Sequence, residues 1–131
     1  MRRNFTFTYS GAGHPRPLLC DEACRHLYKG FGLPIGAFPD VHYIDSKGEM
    51  RKNAYLVLYT DGLTEAKRGG EIFGEDRLES AMAGLRSASA REVADRLIGS
   101  AKDFAQGELH DDLALLVLRR VSNEFAVKFT S

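Results

Sequence analysis

The sequence predicts an α+β domain with helices packed on a β-sheet. Two continuous apolar runs of strand length, residues 54–59 and 113–118, are typical of strands that are covered on both faces. Two segments with helical periodicity lie between these runs along the chain. The order of strands, then helices, then strands favours helices that pack on a sheet.

The remaining strand signals are shorter. Residues 5–9 alternate apolar and polar side chains, as in a half-buried strand, and 125–129 alternate as in a final edge strand. The segments 18–20 and 24–28 predict a hairpin around the turn 21–23. We also expect a loop at 30–40 and a short strand at 42–45 that turns at 46–48, because glycine and proline punctuate this region.

The two helices are predicted from apolar spacing. Residues 75–85 place Leu78, Ala81, Met82 and Leu85 on one face. A second helix is expected to begin at the capping box of residues 89–92 and to stop at Gly107. Its apolar stripe consists of Val93, Ala94, Leu97, Ile98, Ala101 and Ala105.

Length and composition predict one ordinary globular domain over residues 1–131. Hydrophobic residues make up 44% of the chain and charged residues 27%. Lys+Arg and Asp+Glu both total 18, so the charge balance gives no indication of a nucleic-acid or membrane surface. No run has the length of a membrane span, and the first residues lack the apolar core of a signal peptide. We therefore expect a cytoplasmic protein.

Cys20 and Cys24 are followed by His26, a cluster that could seed a zinc site. A structural zinc site usually needs four ligands in paired knuckles, and the chain has no second cysteine pair. We expect two reduced cysteines that flank the predicted hairpin. A disulfide is the less favoured expectation in a reducing compartment.

Acidic residues stand at one end of each long apolar run. Asp61 follows the first run, and Asp111 and Asp112 precede the second. If the two strands are antiparallel neighbours, these carboxylates share one rim of the sheet. They would repel one another there unless a cation or a proton intervenes, and oxygen ligands favour magnesium, manganese or calcium. The alternative is a simple Asp-Gly turn and a solvated Asp-Asp loop.

Four segments in order carry a family resemblance. YTDGLTEA at 59–66 and SGAGHPRPLL at 10–19 resemble the YTDGLTEA and NAGHPPPLL signatures of the SpoIIE/RsbU branch of PPM-type protein serine/threonine phosphatases. FGEDRL at 73–78 is similar to the FGEERL element of that branch, and DDLALLV at 111–117 to its closing DDITLLV. Together these motifs cover most of residues 5–120.

The resemblance implies an antiparallel β-sandwich with helices outside and a binuclear Mn²⁺ or Mg²⁺ centre at one end. It assigns Asp61 and Asp111 as metal ligands. A water held by the metals attacks phosphorus, so that no side chain acts as nucleophile. The implied substrates are phosphoserine or phosphothreonine on regulatory proteins of sigma-factor or partner-switching pathways.

Three further residues receive expected roles. Gly62 is expected to let the chain bend after Asp61, and Asp112 to support the ligands without contacting the metal. His14 either approaches the phosphate or fixes its own turn by a backbone hydrogen bond; its turn-forming neighbours favour the second role.

The chain also departs from the family pattern. Ala114 replaces a threonine, and Lys52-Asn53 stand where a Gly-Asp pair is usual. The Asp-Gly pair and the DVSGHG-like motif that supply the other metal ligands in the family do not precede Phe5. We therefore expect the C-terminal portion of a phosphatase domain, incomplete at its N-terminus, with little or no activity alone.

Three competing functions can be weighed against the sequence. A haloacid-dehalogenase-type phosphatase needs a nucleophilic aspartate at position 59, which is a tyrosine. An HD-type phosphohydrolase would need residues 110–111 on a helix, but they lead into a strand-like run. The remaining alternative is a degenerate, non-catalytic module that binds a regulatory partner.

Overall fold

The computed structural model describes residues 5–121 together with the backbone of residues 124–130. The strands are β1 (Phe5–Tyr9), β2 (Gly11–Ala12), β3 (Leu18–Cys20), β4 (Cys24–His26), β5 (Phe31–Gly32), β6 (Ser46–Met50), β7 (Tyr55–Tyr59), β8 (Lys67–Arg68), β9 (Glu71–Ile72), β10 (Leu115–Val121) and β11 (Glu124–Thr130). The helices are α1 (Asp61–Thr64), α2 (Gly74–Ala81) and α3 (Ala90–Phe104).

A five-stranded antiparallel sheet in the order β11-β10-β7-β3-β4 forms the centre of the fold. The two apolar runs of the sequence are the neighbouring strands β7 and β10, with Tyr59 opposite Leu115. Strand β11 lies at the edge, as its alternating pattern predicted. The tail of β7 and the head of β10 therefore lie at the same end of the sheet.

The central sheet is covered on both faces. Tyr55, Val57 and Tyr59 point to the core that α2 and α3 close. On the opposite face, Leu19 and Leu56 pack in a second core under the antiparallel pair of β1 and β6. The predicted α+β class, an antiparallel sandwich with helices outside, is confirmed.

The cysteine prediction is wrong in one respect. The hairpin forms as expected, and it places Cys20 directly opposite Cys24 with 4.1 Å between their Cα atoms. The two side chains face each other across the hairpin, and the structure joins their sulfurs in a disulfide. The chain has two cysteines, so neither is free to ligate zinc.

The strand expected at 42–45 is also displaced. The segment predicted as a turn, 46–48, lies instead inside β6, which pairs with β1 from Tyr9–Ser46 to Phe5–Met50. Gly48 fits this strand because the ring of Phe7 occupies the space where a side chain would lie. The pairing with β1 thus overrides the local turn signal.

Helix α3 begins and ends much as its sequence predicts. The Ser89 hydroxyl accepts a hydrogen bond from the Glu92 amide at 3.1 Å. At the other end, Gly107 N–H donates to Lys102 O and Gln106 N–H to Asp103 O, the two bonds of a Schellman motif. The left-handed residue of this motif is Gln106, with φ of 61°, rather than the glycine that follows.

Helix α2 is shorter than predicted and ends at Ala81, followed by turns that contain Gly84 with φ of 80°. Large apolar side chains are exposed mainly in the segment between β4 and β6: Tyr28, Leu33, Ile35, Phe38, Tyr43 and Ile44. Within the described ranges, no helix is both long and apolar enough to cross a membrane.

Candidate active site

Thr60 connects the end of β7 to the segment before β10. Its amide donates to Ala114 O at 3.0 Å, and its hydroxyl oxygen accepts from the Ala114 amide at 2.9 Å. Thr60 stands at the N-cap of α1, yet its side chain makes no cap hydrogen bond because the hydroxyl is used across the sheet. These bonds extend the strand pairing by one step and fix where α1 begins.

Gly62 is buried in α1 against the backbone of Asp112. A Cβ atom at position 62 would lie 2.1 Å from Asp112 O, which no real side chain tolerates. The expected reason for this glycine was a sharp bend, but α1 continues through it without a left-handed φ. The close approach of two backbones is the actual reason.

The predicted acidic residues are brought to one end of the sheet. Asp61 is exposed at the first position of α1. Asp111 and Asp112 are exposed in the segment that precedes β10. This segment contacts the start of α1, where the carbonyl of Asp112 lies against Gly62 and near the Thr60 hydroxyl. Strand β10 starts only at Leu115, so the aspartates lie on a connecting segment rather than directly at the strand entry.

A pocket of about 320 Å³ opens beside Asp61. Its polar lining includes both acidic and basic groups, and the full set is His14, Pro15, Arg16, Phe31, Gly32, Tyr59, Asp61, Thr64 and Glu75. His14 is exposed there and its Nδ1 lies 3.2 Å from Pro15 O, so it both faces the pocket and bonds its own turn. Asp111 and Asp112 are not part of this lining.

Tyr59 forms a buried part of the pocket wall. Its hydroxyl lies 3.2 Å from Nε2 of His26, and Nδ1 of His26 lies 2.8 Å from Oε1 of Glu79. Burial raises the pKa of Tyr59 well above its usual value, and the carboxylates of Glu75 and Asp61 raise it further. The hydroxyl therefore keeps its proton throughout the neutral pH range.

The carboxylates fit the implied metal in kind but not in number. Asp61 and Asp111 offer the hard oxygen ligands that Mn²⁺ and Mg²⁺ prefer. Across the residues that the structure describes, however, no three His, Cys, Asp or Glu side chains gather as a metal site would require. Two carboxylates at one rim are a partial ligand set, so no chemical step of this chain alone can be assigned to a metal.

Sequence reasoning missed part of this site. Arg16, Glu75 and the His26–Glu79 pair were not singled out for the pocket. Arg16 lies in the motif at 10–19 and Glu75 in the motif at 73–78, so membership of these motifs was the signal that could have identified them. His26 and Glu79 are 53 residues apart, and no local pattern links them.

Comparisons with known proteins agree with the family resemblance that the four motifs carry. The family model of Stage II sporulation protein E (SpoIIE) matches residues 2–121. The phosphoserine phosphatase RsbU of Bacillus subtilis (strain 168) is 28% identical over 116 residues, which are 87% of this chain and 35% of that protein. The chain thus spans about a third of the length of this relative.

Solved structures agree in fold. The PP2C phosphatase domain and regulatory-domain fragment of SpoIIE from Bacillus subtilis superimposes with a TM-score of 0.75 at 19% identity, over 87% of this chain and 34% of that one. The RsbU and RsbW domains of a Mycobacterium tuberculosis protein give a TM-score of 0.70 at 26% identity, over 92% and 35%. The SpoIIE phosphatase domain has also been solved after a manganese presoak. The chain therefore belongs to the SpoIIE family, in the SpoIIE/RsbU branch of the PPM-type phosphatases.

Proposed function

We propose that residues 1–131 are the C-terminal portion of a metal-dependent protein serine/threonine phosphatase domain. In the complete domain, Asp61 and Asp111 would bind a binuclear Mn²⁺ or Mg²⁺ centre, with Gly62 and Asp112 supporting them. This portion alone would have little or no activity. The cytoplasmic location expected from the sequence belongs to the same proposal.

The paired ends of β7 and β10 carry this proposal. Three hydrogen bonds between Thr60 and Ala114, and the contact of Gly62 with Asp112, bring two separate acidic segments to one rim. Carboxylates that share one rim of a sheet would be stabilised there by a divalent cation. The incomplete ligand set among the described side chains, and the third of the relatives' length that the chain spans, support a partial domain.

When bound, the metals would lower the pKa of a water that attacks the phosphorus. The residues of this chain would shape the surroundings of that reaction. Arg16 is held 4.8 Å above the ring of Tyr28 and brings a guanidinium to the pocket, a group that suits phosphate oxygens. His14 lines the same pocket, and because its Nδ1 bonds Pro15 O at 3.2 Å, a neutral ring presents Nε2 there as an acceptor.

The proposed substrate is a phosphoserine or phosphothreonine of a regulatory protein in a sigma-factor or partner-switching pathway. Support comes from the phosphoserine phosphatase relative RsbU and from the structure that joins an RsbU domain to an RsbW domain. The shallow, exposed position of Asp61 agrees with a phosphate presented on a protein surface.

Manganese calorimetry tests the site. We expect a saturable heat signal for the 131-residue chain that is lost in Asp61→Asn and in Asp111→Asn. Asp103→Asn, an exposed aspartate on α3, is the matched control and should retain the signal. A signal that survives both site substitutions would contradict the assignment of these ligands.

Hydrolysis of p-nitrophenyl phosphate with Mn²⁺ tests the partial-domain proposal. The chain alone should not exceed its Asp61→Asn variant. Robust turnover that Asp61→Asn abolishes would show that these residues build a sufficient site. The absence of both turnover and manganese binding would favour the second candidate, a non-catalytic module that binds a regulatory partner.

A further inference from the structure

His26 is a buried titratable residue with no role in the site described so far. Its side chain is only 1% exposed, at the end of the edge strand β4. Both ring nitrogens have partners: Glu79 of α2 at 2.8 Å on Nδ1, and Tyr59 of β7 at 3.2 Å on Nε2. A histidine bonded at both nitrogens between three elements has one fixed orientation.

The partners also determine the positions of the protons. A Glu79 carboxylate can only accept a hydrogen bond, so in the neutral tautomer Nδ1 of His26 carries the hydrogen. Nε2 then holds a lone pair and accepts the single hydroxyl hydrogen of Tyr59. The Tyr59 oxygen is left with lone pairs only, and Tyr59 is one of the residues that line the pocket beside Asp61.

We propose that His26 is a positioning residue of this site. Oriented by Glu79, it holds the Tyr59 hydroxyl on the pocket wall as a hydrogen-bond acceptor. Such a group binds and orients a water molecule, which donates, and disfavours a phosphate oxygen, which only accepts. Phosphate oxygens would then be bound by the guanidinium of Arg16, which also lines the pocket. The role of this arrangement in catalysis rests on the proposed phosphatase function, whereas the hydrogen bonds of His26 to Glu79 and Tyr59 do not.

The ¹⁵N resonances of the histidine rings in the labelled 131-residue chain test the proton positions. We expect hydrogen on Nδ1 of His26 and a bare Nε2 that accepts the Tyr59 hydroxyl hydrogen. Tyr59→Phe should shift the Nε2 resonance because that nitrogen loses its donor. Tyr43→Phe is the matched control, since its hydroxyl bonds Leu33 O in the exposed loop, and it should leave His26 unchanged.

Two substitutions at Glu79 test the orientation, and both are at a partly exposed position that tolerates change. Glu79→Gln retains an acceptor oxygen and should preserve the tautomer. Glu79→Leu removes it and should lose the tautomer preference, together with a shift of the Asp61 and Thr64 amide resonances.

Three results would overturn the proposal: hydrogen on Nε2, a doubly protonated ring at neutral pH, or an Nε2 resonance that ignores Tyr59→Phe. None of these measurements requires metal or turnover. Their failure is therefore distinguishable from failure of the proposed function, which manganese binding reports separately.

Discussion

Thr60 and Ala114, 54 residues apart, are joined by a backbone hydrogen bond, by a bond from the Ala114 amide to the Thr60 hydroxyl, and by a longer bond of 3.4 Å from that hydroxyl to Ala114 O. The hydroxyl replaces a backbone carbonyl as the acceptor where the strand pairing stops and α1 starts. The threonine that precedes Asp61 thus determines how the two acidic segments meet.

Thr60→Val should weaken this connection. The substitution keeps the shape but removes the acceptor of the Ala114 amide, and we expect a loss of about 0.5–1.5 kcal/mol in the free energy of unfolding. Urea denaturation measures it. Thr60→Ser, which keeps the hydroxyl, should lose less than the valine variant, and equal losses would show that the hydroxyl bond contributes nothing.

Gly62→Ala should be more damaging than its size suggests. The new Cβ would lie 2.1 Å from Asp112 O, so one of the two backbones must move. We expect a loss of about 1–3 kcal/mol, typical of overpacking, and altered amide resonances at Asp111 and Asp112. Denaturation and amide NMR spectra check both effects.

Gly99→Ala is the matched control for that substitution. Gly99 lies within α3, and a Cβ there meets nothing within 4 Å. Alanine should raise the stability by about 0.5–1 kcal/mol because it favours the helix over the unfolded chain. A destabilised Gly99→Ala variant would contradict the open space that the structure shows.

Reduction of the Cys20–Cys24 disulfide should lower stability only moderately. The bond closes a loop with a sequence separation of 4, and the chain-entropy argument gives about 2 kcal/mol for so short a loop. Thermal unfolding with and without a dithiol reductant measures the difference. Cys20→Ala/Cys24→Ala should not respond to the reductant, and a wild-type chain that does not respond either would mean that the bond is not formed.

Gln106→Gly should stabilise the chain. Gln106 occupies the left-handed position of the α3 C-terminal motif, with φ of 61°, a conformation that glycine adopts at lower cost. We expect a gain of up to about 1 kcal/mol in the free energy of unfolding. Gly107→Ala, at φ of 94°, should have the opposite effect, and the two variants together test the motif.

Alkaline pH should destabilise the fold partly through Tyr55. Burial raises its pKa above the usual 10.0, with a further contribution from Glu92, while its hydroxyl donates to the carbonyls of Leu85 and Ala88. Below pH 10 both folded and unfolded states are protonated and this contribution is constant. Above it the unfolded state ionises first, so stability falls by up to about 1.4 kcal/mol per pH unit for each such tyrosine.

Denaturation curves measured from neutral to alkaline pH test this expectation. Tyr55→Phe should have a shallower decline than the wild type. Tyr59→Phe should behave similarly because burial also raises the pKa of Tyr59, and the double variant should be flatter still. If stability declined with pH equally in the wild type, the two single variants and the double variant, the raised pKa values of Tyr55 and Tyr59 would be contradicted.

Sequence patterns predicted the elements whose signals are local. The apolar runs gave β7 and β10, and the Ser89 capping box gave the start of α3. The acidic ends were expected at one rim on the supposition that the two buried strands are antiparallel neighbours, and this pairing is confirmed. The assignment of Asp61 and Asp111 as metal ligands remains a prediction.

The features that depend on distant contacts could not be predicted. Strand β6 exists because it pairs with β1, although its residues 46–48 have turn chemistry. The disulfide depends on the register of a hairpin that places two cysteines opposite each other. The bonds of His26 to Glu79 and Tyr59 depend on three elements that meet only in the folded chain.

The contrast between α3 and the acidic rim has a practical consequence. Helix α3 is held by bonds between near neighbours in sequence, including caps at both ends, whereas the rim depends on contacts between residues 50 or more positions apart. Fraying of Thr60 from Ala114 would disperse the carboxylates and leave the helical signal in circular dichroism almost unaltered. A preparation of this protein should therefore be checked with a probe near Asp61, because a normal helical circular dichroism spectrum does not show that the rim is assembled.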